Sequence, residues 1–189
     1  MARVACPAVQ LILVRHGQPI RVHNADGTIA DPELSELGRE QAELVCGWLA
    51  YESVDHVITS PKRRAIETVR PLLDTGGATH EIVTDLDEID IRSTTYLPTE
   101  LLAAEGGDYW DAIVRGDYEA IGWDSPEVFG ARVDRAFAEL VRNPRGDIVV
   151  VACHGGVIRR IVAEVLGIGT FARIEIGYAS TTRLRVDAE

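Results

Sequence analysis

Residues 147–156 read Asp147-Ile148-Val149-Val150-Val151-Ala152-Cys153-His154-Gly155-Gly156, six apolar residues in a row that stop at a histidine and two glycines. A run this apolar is unsuited to a sheet with one wet face, so Ile148–Cys153 predicts a central strand buried on both sides. A helical pattern follows at Val157–Leu166. Before the run, Asp124-Ser125-Pro126-Glu127 has the chemistry of a helix cap and first turn, and Val128, Val133, Phe137, Leu140 and Val141 form the apolar stripe of a helix that ends near Asn143-Pro144.

The same grammar recurs along the chain. Leu11–Val14 is a second short apolar run, ending at Arg15-His16-Gly17. Residues 18–33 are rich in turn formers and read as a loop. Ser35 is placed to cap a helix carrying Leu37, Ala42, Leu44, Val45, Trp48 and Leu49 on its apolar side. A strand is expected at Val54–Ile58, then a helix with Ser60 as cap and Pro61 at its first position, kinked or ended by Pro71. Further strands are expected at Glu81–Leu86, near Arg173–Tyr178 and at Arg183–Val186, and residues 89–122 read as an inserted lid with short helical pieces. Strands alternating with helices predict a single α/β domain over residues 1–189, a three-layer α/β/α sandwich on a mainly parallel sheet.

Composition narrows the function. Thirty acidic against 19 basic residues leave a net charge of −11 over 189 residues, which repels nucleic acid and anionic membranes. An anionic ligand must therefore be held by local charge. Three cysteines without C-x-x-C spacing indicate neither a disulfide framework nor a zinc site and suit a reducing compartment. No apolar run approaches a membrane span. The apolar stretch after Arg3 is broken by Pro7 and Gln10, so it is a poor signal peptide, and a cytoplasmic location is expected. A homodimer is compatible with all of this.

In parallel sheets, ligands bind beyond the carboxyl ends of the strands. Arg15 and His16 stand at one such end and His154 at another, each histidine followed by a glycine that lets backbone approach a ligand. Lys62, Arg63 and Arg64 fall where a helix begins, and cations there oppose the helix dipole unless an anion lies in front of them. A fourth strand end carries Asp87 and Glu88, either of which could supply a proton.

These residues carry a resemblance. Leu13-Val14-Arg15-His16-Gly17-Gln18, Asp31-x-x-Leu34-Ser35-x-x-Gly38-x-x-Gln41-Ala42, Ser60-Pro61-x-x-Arg64-Ala65-x-x-Thr68, Leu86-x-Glu88 and His154-Gly155-Gly156, in this order, resemble the histidine phosphatase superfamily, the phosphoglycerate-mutase-like fold. The resemblance implies that His16 is a nucleophile taking a phosphoryl group from a small phosphorylated metabolite. It also implies Arg15, Arg64, His154 and the Gly17 and Gly155 backbones around the phosphoryl oxygens, Glu88 as proton donor, and no metal or organic cofactor. Phosphatase chemistry is the first expectation, a phosphoglycerate mutase the second, and a non-catalytic binding protein on the same fold the third.

The departures from the family pattern fall around the leaving group. Glu88 is followed by Ile89-Asp90-Ile91-Arg92 where relatives often carry glycine and Glu-Gly; Val22 replaces a frequent asparagine, with Asn24 two residues on; Trp123-Asp124-Ser125 replaces Gly-Glu-Ser, with Arg132 at the matching distance; and Cys153 stands where serine or threonine is common. Asn24 and Arg92 are candidates for substrate contacts. Tyr96, Tyr109, Trp110, Tyr118 and Trp123 either line an apolar or sugar-accommodating pocket or pack the lid itself.

Overall fold

The computed structural model describes residues 9–169 and 174–186. In chain order the elements are β1 (Val9–Arg15), β2 (Val22–His23), α1 (Glu36–Leu49), β3 (His56–Thr59), α2 (Arg63–Leu73), β4 (Thr79–Ile82), β5 (Thr95–Tyr96), α3 (Thr99–Glu105), α4 (Asp108–Arg115), α5 (Pro126–Arg142), β6 (Ile148–Cys153), α6 (Gly155–Leu166) and β7 (Thr181–Val186), with short 3-10 turns at Thr84–Leu86 and Glu119–Ile121.

The main sheet has the order β4-β3-β6-β1-β7. All its neighbours are parallel except β7, which runs antiparallel to β1 along one edge. Alternation along each strand divides the core into two layers. Leu11 and Leu13 of β1 and Val149, Val151 and Cys153 of β6 pack with Phe129, Val133 and Leu140 of α5 and Val157, Ile158 and Ile161 of α6. Ile12, Val14, Val150 and Ala152 face the other way, against Val45, Cys46 and Leu49 of α1 and Val69 and Leu72 of α2. This is the expected three-layer arrangement, and β6 is buried on both faces because helices cover both.

The helix starts show which cap readings hold. Ser35 accepts from the Gly38 N–H at 3.0 Å and Ser125 from the Val128 N–H at 3.3 Å, as their spacing predicts. Ser60 does not cap α2. Its N–H continues the ladder to the Ala152 carbonyl, and α2 begins at Arg63 behind Lys62. The cap comes from a distance instead, since the Arg63 N–H donates to the Asp31 carboxylate at 2.9 Å. Nor does Pro71 end α2. It stands in the last turn, where its missing N–H removes a single hydrogen bond, while Val69 and Leu72 remain buried on either side.

Two strand expectations also change. The strand placed at Glu81–Leu86 is Thr79–Ile82, whose largely exposed residues, polar but for Ile82, suit a sheet edge, and the chain turns at Thr84–Leu86. Residues 174–178 form no strand, and Arg173 lies outside the described residues. The Ile176 carbonyl that a strand would offer its neighbour is taken by the Arg15 guanidinium. The segment predicted as a lid carries β5, which pairs with β2 inside the predicted loop, together with α3 and α4. A satellite core of Leu102, Ala112, Ile121 and Trp123 holds it together, packed by Tyr109, Trp110 and Tyr118.

Candidate active site

The register of the sheet brings the two histidines together. Arg15 pairs with Cys153 in the parallel ladder, so His16 and His154 are the next residues beyond adjacent strand ends. Their rings meet edge-on with centroids 5.1 Å apart, and both are buried. The His16 backbone is held from both sides: its N–H donates to the Cys153 carbonyl at 2.9 Å and its own carbonyl accepts from the Ala179 N–H at 3.3 Å. The Gly17 N–H donates to Thr68 Oγ1 at 2.8 Å. Gly17 also explains Gly38, because a Cβ on Gly38 would lie 2.0 Å from the Gln18 carbonyl oxygen and one on Gly17 would lie 2.5 Å from that of Gly38. The start of α1 is thus pressed directly against the histidine loop.

Imidazole geometry selects the reactive nitrogen. His16 Nδ1 lies 2.8 Å from the Gly17 carbonyl, which can only accept, so Nδ1 carries the proton and Nε2 keeps its lone pair. Burial, and then the positive charges of Arg64 and Arg15, hold the His16 pKa well below its ordinary value, which keeps the ring neutral. His154 is likewise held low, by burial first and by Arg64 second. Its Nε2 lies 2.6 Å from Ser60 Oγ, while Nδ1 meets no protein partner among the described residues.

Two guanidiniums complete the anion site, each lying over a tyrosine ring. Arg15 stacks on Tyr178 at 4.0 Å and Arg64 on Tyr96 at 4.5 Å. Arg64 is fully buried and reaches only Asp90, at 3.4 Å; its Nε and Nη1 donors meet no acceptor among the described residues. A buried guanidinium with unused donors is prepared for an oxyanion. Arg63, beside it, is exposed and engaged by Glu33 and Glu67. Lys62 is buried, 3.8 Å from Asp87.

The neighbouring acids diverge. Asp87 turns toward Lys62 and His154, whereas half-buried Glu88 lines the cavity in front of His16. Glu88 accepts from the Gly156 N–H at 3.0 Å and the Ile89 N–H at 2.9 Å, and a Cβ on Gly156 would lie 2.3 Å from its Oε1. Burial, and then the Asp90 carboxylate, raise the Glu88 pKa and favour its protonated form. Arg132 sets the bend that presents this acid. Its guanidinium donates to the carbonyls of Asp85, Asp87 and Glu88 at 3.1, 2.7 and 3.1 Å and to Asp124 at 3.0 Å.

The cavity has a volume of about 490 Å³, with Arg15, His16, Arg64, Glu88 and Gly155 at one end and Ile89, Leu97, Pro98, Trp123, Pro126 and Phe129 forming apolar wall. Tyr96 and Trp123 therefore line the cavity, while Tyr109, Trp110 and Tyr118 pack the lid core. Gly17 and His154 stand behind the wall, the first fixing the His16 loop and the second against the His16 ring. Asn24 and Arg92 are not brought to it. Asn24 is half-buried and donates to the Thr28 and Ile29 carbonyls, and Arg92 pairs with Asp124 at 3.1 Å. Ser60, Thr68, Tyr96, Arg132 and Tyr178 join the candidate set. Ser60 and Thr68 sit inside a quoted motif, but nothing local marks Tyr178. Cys153 is buried, its thiol pushed up by burial, and is free, as is Cys46.

Comparison with known proteins bears on this geometry. The model of the histidine phosphatase superfamily (branch 1) matches residues 11–189. The chain belongs to this superfamily. A protein of Yersinia enterocolitica named "Probable phosphoglycerate mutase GpmB" is 27% identical over 189 residues, covering 95% of this chain and 85% of that protein. The "Putative phosphoserine phosphatase 2" of Hydrogenobacter thermophilus is 27% identical over 197 residues, covering 95% and 91%. Among solved structures, a mycobacterial glucosyl-3-phosphoglycerate phosphatase complexed with VO3 superposes with a TM-score of 0.70 at 28% identity, covering 93% of this chain and 92% of that one. In this histidine phosphatase the residues that carry the resemblance, Arg15, His16, His154 and Arg64, stand at the ends of β1 and β6 and at the start of α2.

Proposed function

We propose that the protein hydrolyses small phosphomonoesters through a phosphohistidine on His16. The observation that carries this reading is the lone pair of His16 Nε2, fixed by the Gly17 carbonyl, beside a buried Arg64 with two unused donors. In the first half-reaction Nε2 attacks phosphorus and the bond to the leaving oxygen breaks, while Glu88 gives that oxygen its proton. In the second, Glu88 takes a proton from water, the water oxygen bonds to phosphorus, and the P–N bond breaks to restore the imidazole and release inorganic phosphate. Arg15 and Arg64 stabilise the charge on the transferring oxygens, where most of the catalytic benefit lies in phosphoryl transfer, and His154, packed on the His16 ring with its Nδ1 unpartnered among the described residues, is assigned to the same task. Segment 89–122 acts as the lid that shapes the leaving-group side.

No step calls for a metal, and among the described residues no group of three His, Cys, Asp or Glu side chains could hold one. No described helix is long and apolar enough to cross a membrane. A cytoplasmic location is the proposed one, in keeping with Cys46 and Cys153, which are buried and unbridged among the described residues. The mutase reading draws on the relatives' names and shares every residue of the first half-reaction. A mutase must return the phosphoryl group to its bound product, whereas a phosphatase gives it to water. Incubation with p-nitrophenyl phosphate in EDTA, with and without 2,3-bisphosphoglycerate, separates the readings. We expect EDTA-resistant hydrolysis that needs no bisphosphate; activity lost in EDTA and restored by Mg²⁺ or Zn²⁺ overturns the metal-free mechanism.

A further inference from the structure

The cavity is lined by two cations that phosphoryl chemistry does not use, Arg159 and Arg160, and they are not alike. Helix α6 supplies its wall twice: Gly155 and Gly156 touch Arg15 and Glu88, and one turn later Arg159 and Arg160 line the same cavity. Residues four apart share a helix face, about 6 Å along the axis. The two arginines differ in their commitments. Arg160 is neutralised, donating to both carboxylate oxygens of Asp134 at 2.7 and 2.5 Å with Glu164 4.0 Å away. Arg159 is exposed, and its Nε donates to the Ile174 carbonyl at 3.2 Å. No carboxylate pairs with Arg159 among the described residues, in a chain whose net charge is −11.

The cavity's own acids, Glu88 and Asp90, stand with the phosphoryl machinery, Asp90 at 3.4 Å from Arg64. Apolar wall from Leu97, Trp123 and Phe129 completes the enclosure. We infer that Arg159 is a subsite for a second anionic group, so that the enzyme prefers phosphomonoesters whose leaving group carries an apolar stretch ending in a carboxylate or a second phosphate. This rests on the phosphatase reading and names its substrate class. The Arg159 fork suits either anion through paired N–H donors, and at an exposed site the preference must weaken as salt rises.

The test compares kcat/KM for phenyl phosphate, 4-carboxyphenyl phosphate and 1,4-phenylene bisphosphate in wild type, Arg159→Gln and Arg159→Glu. Taking each variant relative to wild type cancels the intrinsic difference between leaving groups. Arg159→Gln is expected to lower the preference for one or both anionic substrates over phenyl phosphate by about tenfold, and Arg159→Glu to lower it further. Which substrate responds tells whether the second anion is a carboxylate, a phosphate or either. An equal change on all three overturns the subsite and leaves the phosphatase reading intact. Calorimetric affinities for benzylphosphonate and 4-carboxybenzylphosphonate give a readout that needs no turnover. Arg159-dependent discrimination in binding, with no hydrolysis of any ester, would sink the phosphatase reading and keep the subsite.

Discussion

The floor of the cavity and its wall are held by different kinds of bond. The floor is held mainly by main chain: His16 is laced between the Cys153 carbonyl and the Ala179 N–H at the ends of a paired sheet, with Thr68 Oγ1 as the side chain that holds the next residue, Gly17. The wall is held by side chains reaching across, Arg132 on three carbonyls of the 85–88 bend, Glu88 on the Gly156 N–H and Asp124 between Arg92 and Arg132. A phosphoryl group is the same in every substrate, so a floor set by backbone register can be rigid. Leaving groups differ, and a wall of side-chain contacts changes shape by substitution without disturbing the sheet. Two of the departures from the family pattern, those after Glu88 and before Ser125, fall in that wall, while Cys153 departs in side chain only and still holds His16 through its backbone carbonyl.

The comparison breaks most severely at the floor. His16→Ala should lower turnover of every phosphomonoester by about 10⁴- to 10⁶-fold, the scale of losing a nucleophile, while circular dichroism stays that of a folded protein. Comparable activity in the variant would end the mechanism. At the wall the expectation depends on the substrate. Glu88→Gln should slow an alkyl phosphate by about 10²- to 10⁴-fold and p-nitrophenyl phosphate much less, because nitrophenolate leaves without a proton. Asp87→Asn should show no such dependence, since Asp87 faces Lys62 and His154. A defect in Asp87→Asn that grows with leaving-group basicity would transfer the acid's role to it.

Gly156→Ala sharpens the contrast, because its Cβ would stand 2.3 Å from Glu88 Oε1 and push the carboxyl aside. Its defect should share the leaving-group signature of Glu88→Gln at smaller size, up to about 10²-fold, the cost of roughly an ångström of misplacement. A uniform loss on both substrate types would mean that Gly156 serves the floor instead. The smallest effect is on pH dependence. Activity needs His16 neutral and Glu88 protonated, so the rate rises as pH climbs through the lowered His16 pKa and falls as it climbs through the raised Glu88 pKa. The acidic limb should therefore lie below the ordinary histidine value of 6.5 and the descending limb above the ordinary glutamate value of 4.5. Glu88→Gln should erase the descending limb for alkyl substrates, and its persistence would assign that limb to another group.

The floor was far more legible in the sequence than the wall, for the same physical reason. Buried parallel strands are continuous apolar runs, so Leu11–Val14 and Ile148–Cys153 announce themselves, and the polar residues just past them are the ones the ladder brings together. Local cap chemistry placed α1 and α5 correctly. Where a residue's partner is far along the chain, local reading fails. Ser60 resembles a cap but its hydroxyl serves His154, 94 positions away, and the Ile176 carbonyl that a strand would use serves Arg15, 161 positions away. Arg132 is legible only as a residue at a matching distance, because its work is done on carbonyls 44 to 47 positions earlier. Asn24 stands two residues beyond the position where the family often carries asparagine, and its amide closes its own loop instead.

The central claim is that the phosphoryl group passes through His16. Rapid acid-free quenching of the enzyme during turnover of a ³²P-labelled phosphomonoester, followed by peptide mapping under alkaline conditions that preserve phosphohistidine, tests it directly. The account predicts label on the peptide containing His16, absent from His16→Ala and accumulating in Glu88→Gln with an aryl phosphate, where formation needs no acid but hydrolysis still needs the base. Label on His154, or turnover at full rate with no labelled histidine at all, would contradict it.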